Sequence, residues 1–423
     1  MTIVRNASII FLCTMAGNVA NYFFQFIMGR SLSLEDFGTM NALLSLISGI
    51  TLPTSAIMIV IAKYASTYTV TGEHDGLNAL YQMSLKRISL MGVAVSAVFI
   101  LISGPVRAYL RIDNISALMI LPIGIFGSFL MTVNLGMLQG LQRFYYFGAG
   151  LGLGGVLRLA LGIAFLIIGF RLNGAILATV LPTMLIFAIT IAPLSAYLKG
   201  SSSYRHERLI KYSVPVLVSS SAFAFISNID LIMVKHFFDP RDAGIYAATA
   251  VIGKTLLYLP SSFALAVFPM VAKADIQNGD SFKILDRALL CTVCLCGAGL
   301  AAFAIAPGLI VRVLFGAGFA GAAGFLEYYG VSMALLSVLS ILISFNLARG
   351  KTAFVYSLAG GGAMMVAAVN VFHSSIEEVI LSVAAVFLLV TAFNLWLVYR
   401  ERQIYYREKN YALIKAADAA NPD

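Results

Sequence analysis

Stretches of about twenty residues without a charged side chain recur from one end of this chain to the other. Each is long enough to cross a hydrocarbon layer about 30 Å thick. No water reaches backbone N–H and C=O groups inside such a layer. A spanning segment must satisfy them itself, as an α-helix does, or with its neighbours in a closed barrel. A barrel needs segments of about ten residues with alternating polarity, and these runs are continuous, punctuated by glycine, proline and charge. The chain is therefore expected to be an all-α polytopic membrane protein. Only 11% of its 423 residues are charged, against about 25% in an average soluble domain.

Hydropathy and its punctuation place about twelve transmembrane helices. In the first half they fall near 8–28, 38–62, 84–104, 115–138, 145–168 and 174–197; in the second, near 213–236, 244–272, 286–306, 323–347, 353–372 and 378–398. The glycine-rich stretch 307–325 fits a loop, a half-helix or part of its neighbours. The first run follows Arg5 as a signal peptide would, but its full length and polar face argue for a retained helix.

The net charge of +9 raises a nucleic-acid reading, which the scatter of basic residues over short loops argues against. Topology explains their placement better. With an even number of spans both termini share a face; the loops and ends on that face carry 19 Lys and Arg, and the opposite loops carry seven. The positive-inside rule then predicts a multi-pass protein with both termini in the cytoplasm. The tail 399–423 reads as a basic, aromatic helix along the inner headgroups, or as a solubilised end.

The two halves resemble each other. Residues 26–66 align with 231–273: an apolar helix end, a short acidic turn, a glycine (Gly38, Gly244), then a long helix with a central proline (Pro53, Pro260). A second echo pairs 137–148 with 347–358. Six helices per period make the repeat parallel, about an axis along the membrane normal. The expected architecture is two six-helix parallel repeats, 1–200 and 201–398, around a central cavity whose substrate site lies at their interface.

"GRSLSLEDFGTMNALLSL", "NIDLIMVKHFFDPRDAGIYAATA" and "LIVRVLFGAGFAGAAGFL" together resemble bacterial polysaccharide flippases of the O-antigen type. These belong to the superfamily of multidrug, oligosaccharidyl-lipid and polysaccharide exporters. The resemblance implies transfer of an undecaprenyl-pyrophosphate-linked oligosaccharide between leaflets for surface polysaccharide assembly. It also implies a bacterial inner membrane and contact with its lipids, with a polysaccharide polymerase or chain-length regulator as a candidate partner. Lipid II flippases of the superfamily carry two further C-terminal helices, so a peptidoglycan precursor is not the expected cargo.

An ionisable residue inside a span is a functional candidate by default. Arg158 lies about thirteen residues into the fifth span, too deep to snorkel easily. Asp230 and Lys254 lie at comparable depths on neighbouring antiparallel spans. They form either a structural ion pair or part of a charged cavity lining. Arg30 and Lys63 near span ends would make that lining weakly cationic, which suits a pyrophosphate, since Arg and Lys hold phosphate oxygens. Asn18, Asn21 and Gln25 fall within about 60° of one another on the first span, and Ser220 and Ser227 share a face with Asp230. These groups suit sugar hydroxyls or helix–helix contacts equally well.

Other features point to packing. In "CTVCLC" (291–296), Cys294 and Cys296 lie about 200° apart around an apolar helix with no histidine nearby, so they read as packing residues rather than metal ligands. The run "FGAGLGLGG" (147–155) has small-xxx-small spacing at Gly148/Gly152 and Gly150/Gly154. Pro53, Pro122, Pro182, Pro215 and Pro260 mark kinks. Two alternatives to a flippase remain: a drug exporter using Asp230 as its proton or sodium carboxylate, and a membrane enzyme of glycan assembly. The scattered histidines (His74, His206, His236, His373) and short outer loops argue against the enzyme, and no cofactor is expected beyond an ion gradient.

Overall fold

The computed structural model describes residues 2–198, 209–261, 263, 264, 267, 270, 271, 274 and 279–420; within these, side chains are described from residue 10 to 407, except 11 and 209–216. Among the described residues all regular structure is helical. The order is α1 (Thr2–Ser31), α2 (Leu34–Thr51), α3 (Thr54–Thr71), α4 (His74–Leu110), α5 (Ile115–Gly140), α6 (Phe144–Ile168) and α7 (Arg171–Ile191), which runs into a 3₁₀ segment, Ala192–Leu198. Then come α8 (Leu209–Ile226), α9 (Ile229–Phe237), α10 (Pro240–Gly253), α11 (Thr255–Tyr258), α12 (Ser281–Ile305) and α13 (Pro307–Leu314). A 3₁₀ segment, Ala317–Phe325, leads into α14 (Leu326–Ala348), α15 (Ala353–Val371) and α16 (Ile376–Ala420).

Ten spans among the described residues are long and apolar enough to cross a membrane. The other two expected spans are α1 and the stretch from Pro240 to residue 274, each only partly described. Two expected helices are each broken in the middle. The second span divides into α2 and α3 at Leu52–Pro53, where the proline ring displaces a helical hydrogen bond. The seventh divides into α8 and α9 at Ser227–Asn228. No proline or glycine causes that second break. Ser227 Oγ donates to Phe223 O, and Asn228 Nδ2 donates to Ala224 O at 2.9 Å, so side chains occupy carbonyls of the preceding turn.

The chain packs as two compact units. The first comprises Met1–Val251 and Gly308–Ala323; the second, Ile252–Pro307 and Gly324–Asp423. In lipid, helices gain little by burying apolar area against each other, so close packing and hydrogen bonds hold them together. In the first unit, α1 and α6 meet across glycine. A Cβ on Gly152 would lie 2.1 Å from Cys13 O, and one on Gly155 would lie 2.1 Å from Gly17 O. Gly148 also faces α1, at Ile10, while Gly150 and Gly154 face Ile186 of α7.

A buried polar network ties α4, α5 and α7 together. Tyr81 Oη donates to Asn134 Oδ1 at 2.8 Å, and Asn134 Nδ2 donates to Thr190 Oγ1 at 2.9 Å. All three residues are buried. Asn134→Leu keeps the volume but leaves the Tyr81 hydroxyl without its acceptor. The variant should lose about 1–2 kcal/mol of stability, the range for such bonds in membranes and for an orphaned buried donor. Unfolding by sodium dodecyl sulfate titration reads this, and an unchanged midpoint would show the network to be dispensable.

In the second unit, α16 continues without interruption from the twelfth span into the tail, in place of a separate helix on the headgroups. Its first turns beyond the apolar stretch are held by protein. Arg402 forms a bidentate pair with Asp286, both bonds 3.0 Å. Arg349 Nη1 reaches Glu401 at 3.0 Å, and Tyr406 Oη donates to Asp280 at 2.9 Å. Phe282, Phe345 and Tyr405 pack beneath these pairs.

Candidate functional site

Arg158 sits two residues past the midpoint of α6. Its guanidinium lies 4.2 Å from the centroid of the Phe24 ring, and its Nη1 donates to Asn21 Oδ1 at 3.3 Å. Nε and Nη2 are fully covered and make no hydrogen bond. No carboxylate pairs with it among the described residues. The Gln25 Oε1, one turn of α1 beyond Asn21, is likewise covered and without a partner. The amide stripe of α1 is thus divided: Asn21 serves Arg158, Gln25 keeps an open acceptor, and Asn18 is exposed.

A buried cation with one hydrogen bond and one ring is costly. A desolvated cation–π contact returns about 2 kcal/mol, against a penalty of several kcal/mol for an ion taken out of water. The glycine contacts that hold α1 against α6 keep the cation where it is. Two aligned N–H groups of one guanidinium form the fork that suits a carboxylate or phosphate.

Asp230 is buried in the first turn of α9, where the exposed N–H groups of a helix start favour a negative charge. Tyr246 Oη of α10, itself buried, donates to Asp230 Oδ2 at 2.9 Å. Ser227 is buried at the helix break. Lys254 is buried at the junction of α10 and α11 and belongs to the second unit.

Arg30 is exposed at the far end of α1, on the face reached after one span. It caps α13: Nε donates to Leu314 O at 3.2 Å and Nη2 to Val313 O. Basic groups at a helix C-terminus satisfy the last carbonyls and oppose the dipole. On the same face the aligned glycines of the two halves touch. A Cβ on Gly38 would lie 2.8 Å from Gly244 N, and one on Gly244 would lie 2.1 Å from Leu34 O.

Two partners escaped sequence reasoning. Tyr246 lies in the quoted Gly-x-Tyr stretch, on α10, which follows α9 after a short turn and brings its hydroxyl to Asp230. Lys235 is buried near Glu35, Asp113 and Asp36; the signal was the concentration of acids in the turns of that same face.

No protein-family model and no curated protein matches the chain. Solved structures do. A multidrug resistance MATE family transporter of the MOP superfamily, in an inward-facing conformation, superposes with a TM-score of 0.73 at 14% identity, covering 92% of this chain and 96% of that one. The chain has the fold of MOP superfamily transporters. The lipid II flippase MurJ in an inward closed conformation gives 0.72 at 13% identity, covering 94% and 87%. A MOP superfamily transporter from Pyrococcus furiosus gives 0.69 at 15%, covering 94% and 95%. At these identities the likeness speaks for the fold alone, and the cargo has to be argued from the site.

Proposed function

We propose that the chain is a flippase that moves an undecaprenyl-pyrophosphate-linked oligosaccharide from the cytoplasmic to the outer leaflet by alternating access. The observation that carries this reading is Arg158: a covered guanidinium with two open N–H groups and no acidic partner. An anion-handling site needs such a group, and an exporter of organic cations would place carboxylates there instead. Asn21, Gln25 and Asn18 suit sugar hydroxyls in the same region, and Ser227 adds a hydroxyl to the proposed lining. In this reading the repeats 1–200 and 201–398 rock about the cargo, both termini face the cytoplasm of a bacterium, and a polymerase or chain-length regulator receives the product. The protein performs no covalent chemistry.

A second reading, an ion-coupled drug exporter, is favoured by one observation, the buried Asp230–Tyr246 pair beside a broken helix. Broken helices are where transporters of several folds hold coupling ions. Proteoliposomes separate the two. The flippase should expose a labelled polyprenyl-pyrophosphate oligosaccharide to an external glycosidase and leave ethidium undistributed. Gradient-driven ethidium accumulation without glycolipid transfer would establish the exporter. In the same vesicles, Asp230→Asn should lose the response to an imposed proton or sodium gradient; identical transport in variant and wild type would remove Asp230 from coupling.

A further inference from the structure

The face reached after the first span is poor in cations, with seven Lys and Arg against 19 on the other. Two of those seven, Arg30 and Arg312, are 282 residues apart in sequence and line one open cavity of about 550 Å³. Its other walls are Leu32, Leu34, Phe315, Phe319 and the backbone of Gly316–Gly318. No acidic residue lines it among the described residues. Arg30 spends its Nε and Nη2 on the α13 carbonyls. Arg312 is exposed and makes no hydrogen bond or ion pair among the described residues.

The cavity is built, not incidental. The ring of Phe315 packs edge-on against Phe26 and Phe37, with centroids 5.6 and 5.4 Å away, and Phe319 packs on Phe37 at 5.4 Å. Gly29 leaves the room that Phe315 occupies: a Cβ there would lie 2.2 Å from the ring. The segment 308–323 therefore belongs to the first unit, although it follows the ninth span. On its outer side α13 shows an apolar face. Leu309 and Val313, one turn apart, are 64% and 57% exposed, while Val311 is fully buried. That pattern suits a short helix at the boundary between headgroups and acyl chains.

An apolar outer face, an apolar floor and two arginines at the boundary depth match one class of ligand, a phosphate carried on a lipid chain. We propose that this cavity binds the phosphate of a lipid headgroup from the far leaflet, between Arg30 and Arg312, with the chain running along Leu309 and Val313. The Arg312 fork takes the phosphate oxygens. Arg30 adds its charge and its remaining nitrogen while holding the helix that carries Arg312. The site requires only a lipid phosphate, so it stands whether or not the proposed cargo is right.

Native mass spectrometry of the purified full chain in detergent tests this, with four probes: phosphatidylglycerol, undecaprenyl phosphate, diacylglycerol and inorganic phosphate. The expected result is one saturable adduct with either phosphate-bearing lipid and none with diacylglycerol. Arg312→Gln should weaken it by about tenfold or more, the worth of a hydrogen bond to a charged group. Arg241→Gln, an exposed far-side arginine outside the cavity, should leave it unchanged. Preference for undecaprenyl phosphate or for phosphatidylglycerol upholds the site and names its source. Equal binding by wild type and Arg312→Gln overturns it, as does equal binding of diacylglycerol. Inorganic phosphate binding as tightly as the lipids overturns the lipid assignment. An unchanged unfolding midpoint for Arg312→Gln confirms that the comparison is between folded proteins.

Discussion

Arg158→Met should abolish transport of the lipid-linked oligosaccharide and at the same time raise the stability of the protein. The two effects have opposite signs because the guanidinium is unsatisfied in the packed structure. Its Nε and Nη2 make no bond, its one hydrogen bond goes to an amide at 3.3 Å, and no carboxylate neutralises it. Methionine fills a similar volume against Phe24 without a charge to desolvate. Replacing buried ions by apolar groups of like size gains about 1–4 kcal/mol. The cargo loses two charge-assisted bonds, each worth about 1.5–3 kcal/mol, or tenfold and more in affinity. Arg158→Lys should fall between, since an ammonium keeps the charge but loses the fork and the stacking on Phe24. Glycolipid flipping in vesicles and the thermal midpoint in the same detergent measure the pair of effects. Normal flipping by Arg158→Met would remove this residue from the cargo path. A large fall in its thermal midpoint would show Arg158 to be a structural cation after all.

Gly244→Ala should break the contact between α2 and α10. The added methyl would lie 2.1 Å from Leu34 O and 2.7 Å from its carbonyl carbon, and backbone atoms cannot step aside as a flexible side chain does. The helices have to separate by more than 1 Å. Overpacking against side chains costs about 1–3 kcal/mol, and a backbone clash belongs at or beyond the top of that range. Gly38→Ala is expected to cost less, because its nearest atom, Gly244 N, is 2.8 Å away. Gly49→Ala, where nothing lies within 4 Å, should be neutral or stabilising, as Gly-to-Ala changes in helices are. Hydrogen–deuterium exchange over residues 34–45 and 240–250 gives the order directly. Equal protection in Gly244→Ala and Gly49→Ala would mean that the two helices do not meet there.

The sequence announces what the membrane imposes and hides what depends on local competition for backbone groups. Helix-long apolar runs, the deep Arg158 and the amide stripe of α1 were all visible, because lipid tolerates few polar side chains and period 3.6 decides which of them share a face. Asn21 as the partner of Arg158 follows from that period once α1 and α6 are known to touch. Nothing in the sequence pairs those two helices beyond the glycines of α6. The break at Ser227–Asn228 was not visible: it comes from two side chains bonding to carbonyls four residues back, and serine and asparagine do so in many helices without breaking them. Tyr246 was missed as well, since the register in which α10 packs back on α9, not any spacing in the sequence, sets its hydroxyl against Asp230. The cavity at Arg30 and Arg312 lay in the stretch whose fold the hydropathy left open, and the lodging of Phe315 over Gly29 made it.

Gly38 and Gly244 occupy the same place in the two halves of the alignment, and they touch. A residue that meets its own counterpart stands on the axis relating two copies. Two separate six-helix copies pairing face to face would set this glycine against itself, the self-complementary contact of a symmetric dimer. Any side chain there would have collided with its twin, so one change would have been felt twice. A single chain is free of that constraint everywhere off the axis. Each copy became free to differ, and the one place beside Leu231 where the second half carries an acid is Gln25 in the first. A symmetric pair could not have kept a lone Asp230; a fused one can.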